Sequence, residues 1–88
     1  MLKISIIQRA DDGIQFQLEG RLIGPWVEEL RRLSDQALSQ QKTVSLDLQK
    51  VWFVDLQGVD LLRDLASKKV AQVNCSPFVS QQLKEATL

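Results

Sequence analysis

The chain has 88 residues, 44% of them hydrophobic and 25% charged, with eleven basic side chains balanced by eleven acidic ones. That length sits near the lower end of what buries an independent core without disulfides or metals, so it holds one domain over 1–88 and excludes a second, while the composition excludes a disordered chain. Zero net charge excludes a global field for nucleic acid or an anionic membrane, and the absence of histidine excludes Ser-His-Asp, Cys-His and zinc-type chemistry.

In chain order, Leu2, Ile4 and Ile6 alternate with Lys3 and Ser5, the period-two pattern of a half-buried strand. Ala10-Asp11-Asp12-Gly13 supplies turn residues, and Ile14, Phe16 and Leu18 then alternate with Gln15, Gln17 and Glu19, so the opening reads as a β-hairpin. Gly24-Pro25 starts a helix, with proline at the first helical position and Glu28 and Glu29 near the positive end of the dipole. Trp26, Val27, Leu30, Leu33, Ala37 and Leu38 form its apolar stripe, which runs to about Gln40. Val44, Leu46 and Leu48 mark a third strand, and Val51-Trp52-Phe53-Val54 continues it as an unbroken apolar run that reads as buried.

Asp55 is the expected N-cap of a second helix, with Leu56, Val59, Leu62, Leu65 and Ala66 as its stripe and Lys68-Lys69 at its negative end. Val70 to Asn74 reads as a short last strand. Ser76-Pro77 repeats the cap-and-proline start for a final helix carrying Phe78, Val79, Leu83 and Ala86. The order is ββαβαβα, an α/β domain with a four-stranded mixed sheet, and the expected core includes Ile4, Phe16, Leu46, Leu48, Phe53, Leu62 and Leu65.

Cys75 is the single cysteine and cannot form an internal disulfide, which points to a reducing compartment. The alternating start is unlike a signal peptide, and no apolar stretch approaches the roughly 18 residues of a membrane span. The expectation is a cytoplasmic protein without membrane insertion.

The ordered set Phe16-Gln17-Leu18-Glu19-Gly20-Arg21-Leu22, Val44-Ser45-Leu46-Asp47-Leu48-Gln49 and Val51-Trp52-Phe53-Val54-Asp55-Leu56-Gln57-Gly58, followed by a leucine-rich helix, resembles the STAS family of anti-sigma factor antagonists and related modules. The resemblance implies a mixed sheet with helices packed mainly on one side, and a role as a docking partner for an anti-sigma factor or kinase-like protein. In the regulated members a serine or threonine at the start of the second helix, in an Asp-x-Ser-Gly pattern, accepts phosphate from a partner kinase. Asp55 and Gly58 match that pattern, but the acceptor position holds Gln57, which has no hydroxyl.

The sharper readings of single residues compete with plain ones. Asp47 and Asp55 as a catalytic or Mg²⁺-binding pair are outweighed by a strand-end aspartate plus an N-cap. Gln57 fits both a partner contact and a tolerated polar residue. Trp52 reads as core, while Trp26 fits either core or an interface anchor. Cys75 reads as an inert packing residue, and Arg31, Arg32, Lys68 and Lys69 as a solvated face.

These readings lead to a non-enzymatic protein-binding module with no cofactor, no metal and no nucleic-acid partner, which leaves a homodimer open. The expected docking surface is Asp55, Leu56, Gln57, Gly58 and Asp60 together with Arg21 and Trp26 of the preceding loop. The alternatives are a cytoplasmic accessory subunit of a membrane transporter and, from another class, a small nucleotide-binding protein or enzyme, against which stands the lack of a glycine-rich phosphate loop.

Overall fold

Alternation in the opening segments becomes a hairpin in the computed structural model, which describes residues 2–9 and 12–85. Strands β1 (Leu2–Arg9) and β2 (Gly13–Leu22) pair antiparallel. Helix α1 (Pro25–Ser39), strand β3 (Thr43–Val54), helix α2 (Leu56–Ser67), strand β4 (Ala71–Val73) and helix α3 (Pro77–Glu85) follow in the expected order. The sheet runs β1-β2-β3-β4, with β3 parallel to both β2 and β4. The turn residues Ala10 and Asp11, and Ala86 of the last stripe, lie outside the described residues.

Helices cover one face of the sheet. Phe16, Leu18 and Leu22 of β2, with Val44, Leu46 and Leu48 of β3, are buried against Val27, Leu30 and Ala37 of α1, Val59, Leu61, Leu62 and Leu65 of α2, and Val79 of α3. The intervening residues of β2, from Gln15 to Arg21, are partly or fully exposed, as a sheet with one solvated face requires. Ile4, Trp26 and Cys75 are half-buried and pack against this core.

The apolar run at the end of β3 departs from the sequence reading. Val51 and Val54 are buried, but Trp52 is 62% and Phe53 38% exposed, so neither belongs to the core. The cause is two β-bulges. Between Gln17 and Glu19 of β2, and again between Gly20 and Arg21, β3 carries one extra residue, and each insertion shifts its alternation. The inward positions of β3 are Val44, Leu46, Leu48, Val51 and Val54, with a step of two giving way to a step of three at each bulge. Trp52 and Phe53 both fall between inward positions, on the face that the helices leave bare.

Strand β4 pairs with β3 only from Ser45 to Asp47, which leaves the far end of β3 without a strand on that side, while β2 still flanks the other. Helix α3 fills that place through one side chain. The Gln82 amide donates from Nε2 to the Val54 carbonyl at 2.8 Å and accepts on Oε1 from the Val54 N–H at 3.3 Å, satisfying both backbone groups.

The basic residues of α1 and α2 form a solvated ion-pair layer. Arg31 meets Asp64 at 3.2 Å, Lys68 meets Asp35 and Asp64 at 3.4 Å each, and Arg32 meets Glu29 at 2.6 Å. The hydrogen bond to Asp64, then the charge of Asp35, raises the Lys68 ammonium above the ordinary lysine value. Its contribution to stability is therefore complete below that ordinary value and lost as pH rises through the folded one, and it is small because the pair is exposed.

Burial sets two large side chains apart, Leu65 of α2 in the core and Trp52 turned outward by the second bulge. Leu65→Ala should cost about 2–5 kcal/mol by cavity formation, whereas Trp52→Ala should cost less than about 1 kcal/mol, as exposed substitutions do. Urea unfolding followed by circular dichroism measures both, and a Trp52→Ala loss equal to that of Leu65→Ala would return Trp52 to the core.

Candidate functional site

The corner where β3 turns into α2 is organised by one carboxylate. Asp55 has extended backbone and caps α2, its Oδ1 accepting from the Gly58 N–H at 2.7 Å. Its Oδ2 accepts from the Gly24 N–H at 3.0 Å, at the N-cap of α1. The Asp55 N–H in turn donates to the Leu22 carbonyl at 3.2 Å. Gly24 has no side chain with which to cap its own helix, and its φ of 52° lies where a β-carbon is disfavoured. Asp55 thus supplies an acceptor to the start of each helix.

Gly58 is buried by the same arrangement. A β-carbon there would sit 2.6 Å from a Val54 methyl carbon and 2.7 Å from the Leu22 carbonyl oxygen. The close backbone approach that its lack of a side chain permits is made within the chain, and Gly58 offers no surface to a partner.

The other residues expected at the docking surface separate into two groups. Leu56 at the first helical position is 73% exposed, and Gln57 and Asp60 are also exposed, so these three present the start of α2 to solvent. Trp26, in the first turn of α1, is half-buried against the core. Arg21 is exposed but stands on the bare face of the sheet, opposite Phe53 and with its guanidinium 5.5 Å from the centre of the Trp52 ring. The loop from Leu22 to Gly24 does adjoin the corner, as its two hydrogen bonds to Asp55 require.

Gln82, the group that closes the β3 edge beside this corner, was not legible in the residues, because nothing in its spacing distinguishes it from Gln81. Asp47 and Asp55 are not brought together. They are separated by the second half of β3, on the order of 20 Å at strand rise, and Asp47 Oδ1 accepts from the Gln49 N–H at 3.0 Å at the first bulge. Each carboxylate has a separate structural duty.

Among the described residues no group of three His, Cys, Asp or Glu side chains could hold a metal ion, and no helix is long and apolar enough to cross a membrane.

No family model matches the sequence, and no curated protein does. Solved structures do match in fold. The anti-sigma factor antagonist SpoIIAA in its unphosphorylated form superposes with a TM-score of 0.69 at 21% identity, over 93% of this chain and 82% of that one. An uncharacterised protein from Shewanella loihica with a SpoIIAA-like fold gives a TM-score of 0.60 at 19% identity, over 98% of this chain and 76% of that one. The chain has the SpoIIAA-like fold, which is the fold that the STAS resemblance implies.

The two-way hydrogen bonding of Asp55 gives a sharp test. Asparagine is as good an N-cap as aspartate in general, but it has one acceptor oxygen where this corner uses two. Asp55→Asn should therefore cost about 1 kcal/mol or more, approaching Asp55→Ala. Gly58→Ala should lose about 1–3 kcal/mol through overlap with the Leu22 backbone, although alanine favours a helix interior by about 1 kcal/mol. Urea midpoints measure all three, and a stabilised Gly58→Ala would show that the corner has room.

Proposed function

We propose that this chain is a non-catalytic protein-binding module of the cytoplasm that docks a regulatory partner through the start of α2, without phosphorylation at that site. The observation that carries the proposal is a large apolar side chain, Leu56, standing 73% exposed on a helix start that Asp55 and Gly58 hold in place. An exposed leucine alone is ordinary. Here it sits beside exposed Gln57 and Asp60 and two helical N–H groups, of Leu56 and Gln57, for which the helix supplies no acceptor. That combination offers an apolar anchor with a polar rim, the arrangement interfaces use.

The likeness to SpoIIAA, an anti-sigma factor antagonist, supports a partner of the anti-sigma factor type. The glutamine at position 57 supports constitutive docking: a carboxamide carries neither a hydroxyl to receive phosphate nor a charge to imitate it. A negative charge introduced there would be tolerated by the fold, since it lies at the positive end of the α2 dipole, and would be felt by the partner.

With a partner recovered from native cell extract, titration calorimetry should show Gln57→Glu and Leu56→Ala each weakening binding by about tenfold or more. Arg32→Ala, on the solvated side of α1, should leave the affinity unchanged. Intact mass after incubation with a cognate kinase and ATP should show no phosphate on residue 57, and Gln57→Ser should gain one if the kinase-docking surface is retained. Equal affinities for the wild type and Gln57→Glu would place the partner elsewhere.

A further inference from the structure

The bare face of the sheet carries a second set of exposed groups, apart from the start of α2. Lys3 of β1, Glu19 of β2 and Lys50 of β3 stand in register across three strands. Two positions along, Arg21 of β2 lies over Trp52 and opposite Phe53 of β3. Lys3, Glu19, Gly20, Lys50 and Trp52 line a shallow depression of about 400 Å³. No ion pair joins Lys3, Glu19 and Lys50 among the described residues, so the two ammonium groups remain open to an external anion.

The bulges make this face. Without the second one, strand alternation would send Trp52 or Phe53 toward the helices; with it, both rings are delivered outward. A bare sheet face built only for solvation would carry uncharged polar side chains, as Ser5, Gln15 and Gln17 do nearer the hairpin. This end instead holds two aromatic rings and three cations against one carboxylate, in a chain whose net charge is zero.

We infer that this face is a second docking surface and that its occupant is an acidic protein segment bearing apolar side chains, which lie on Trp52 and Phe53 while its carboxylates meet Lys3, Arg21 and Lys50. Charge complementarity selects that occupant. A second copy of the chain, related by a two-fold axis through the patch, would set cations against cations at the centre of the contact. A single-stranded nucleic acid could stack on the rings, but its phosphates would have to pass Glu19, which stands in register between Lys3 and Lys50. An acidic polypeptide can leave that position to a neutral or basic residue.

The test uses the full chain and three synthetic octapeptides of alternating sequence, (Glu-Phe)4, (Ser-Phe)4 and (Lys-Phe)4, with an oligothymidylate of eight nucleotides. Amide shift perturbation by NMR locates binding, and its titration gives the affinity of every variant. The proposal expects (Glu-Phe)4 to bind at least tenfold more tightly than (Ser-Phe)4, with shifts at residues 3, 19–21 and 50–53. It further expects loss of at least tenfold on Arg21→Glu plus Lys50→Glu and on Trp52→Ala, with Arg32→Ala unaffected. Circular dichroism checks that these exposed variants stay folded. Equal binding of (Glu-Phe)4 and (Ser-Phe)4, shifts confined to Leu56 and Gln57, tighter binding of the oligothymidylate, or a dimer by sedimentation that Trp52→Ala abolishes would each overturn it. Shifts at both surfaces would support this proposal and leave docking at α2 to be judged by Gln57→Glu.

Discussion

Everything at the corner where β3 turns into α2 depends on a carboxylate with both oxygens committed. Asp55 holds the N-cap amide of α1 with one oxygen and the amide of Gly58, the third residue of α2, with the other, while its own N–H is held by the last residue of β2. A helix start leaves N–H groups that must find acceptors, and here two helix starts share one. The sharing explains two glycines: Gly24 adopts a left-handed φ to present its amide to the carboxylate, and Gly58 gives up its side chain to let the Leu22 carbonyl close in. The consequence is that β2, β3, α1 and α2 meet at a point with little freedom, and that Leu56 and Gln57 are offered to solvent from a rigid support. Interfaces gain from such pre-organisation, because less motion is lost on association.

The sheet serves this corner in a second way. Its helix-facing side is apolar apart from Gln72 of β4, whose amide donates to the Leu62 carbonyl of α2, and it closes the core, so the opposite side is free to vary without loss of fold. Two bulges in β3 exploit that freedom, turning an apolar run outward instead of inward. The domain therefore presents two chemically different surfaces: a small apolar and amide-bearing one at a helix start, and a cationic aromatic one on a sheet. They are linked by the β2 end, where Arg21 belongs to the sheet face and the buried Leu22 beside it braces the α2 start through its carbonyl.

Much of this was legible in the residues. The order of elements followed from period-two and helical spacing, and Asp55 was recognisable as a cap because an aspartate directly precedes an apolar helical stripe. Gln57 was placed correctly in an exposed first turn by the same reasoning. What failed was the assignment of Trp52 and Phe53, because hydrophobicity alone does not report which face a residue occupies once alternation is broken. The first bulge left a trace, since the polar pair Gln49-Lys50 between Leu48 and Val51 cannot fit strict alternation. The second left none, because its outward residues are themselves apolar. Arg21 was assigned to the helix corner on sequence proximity, but the pleat sends its side chain to the other face, as one step along a strand always does. Gly58 was expected at the docking surface, but the close approach its missing side chain allows is taken up by the chain's own Leu22 carbonyl.

Gln82 has a consequence of another kind. A parallel strand that outruns its neighbour exposes a ladder of donors and acceptors, and such an edge recruits whatever extended chain comes near. By holding both backbone groups of Val54 with one amide, α3 acts as a stopper on that ladder at very small cost in sequence. The same economy makes the stopper removable: both hydrogen bonds belong to a single side chain, so a helix that lifts away uncovers the Val54 groups at once. Whether this edge stays closed or takes up another strand thus rests on how firmly α3 is seated.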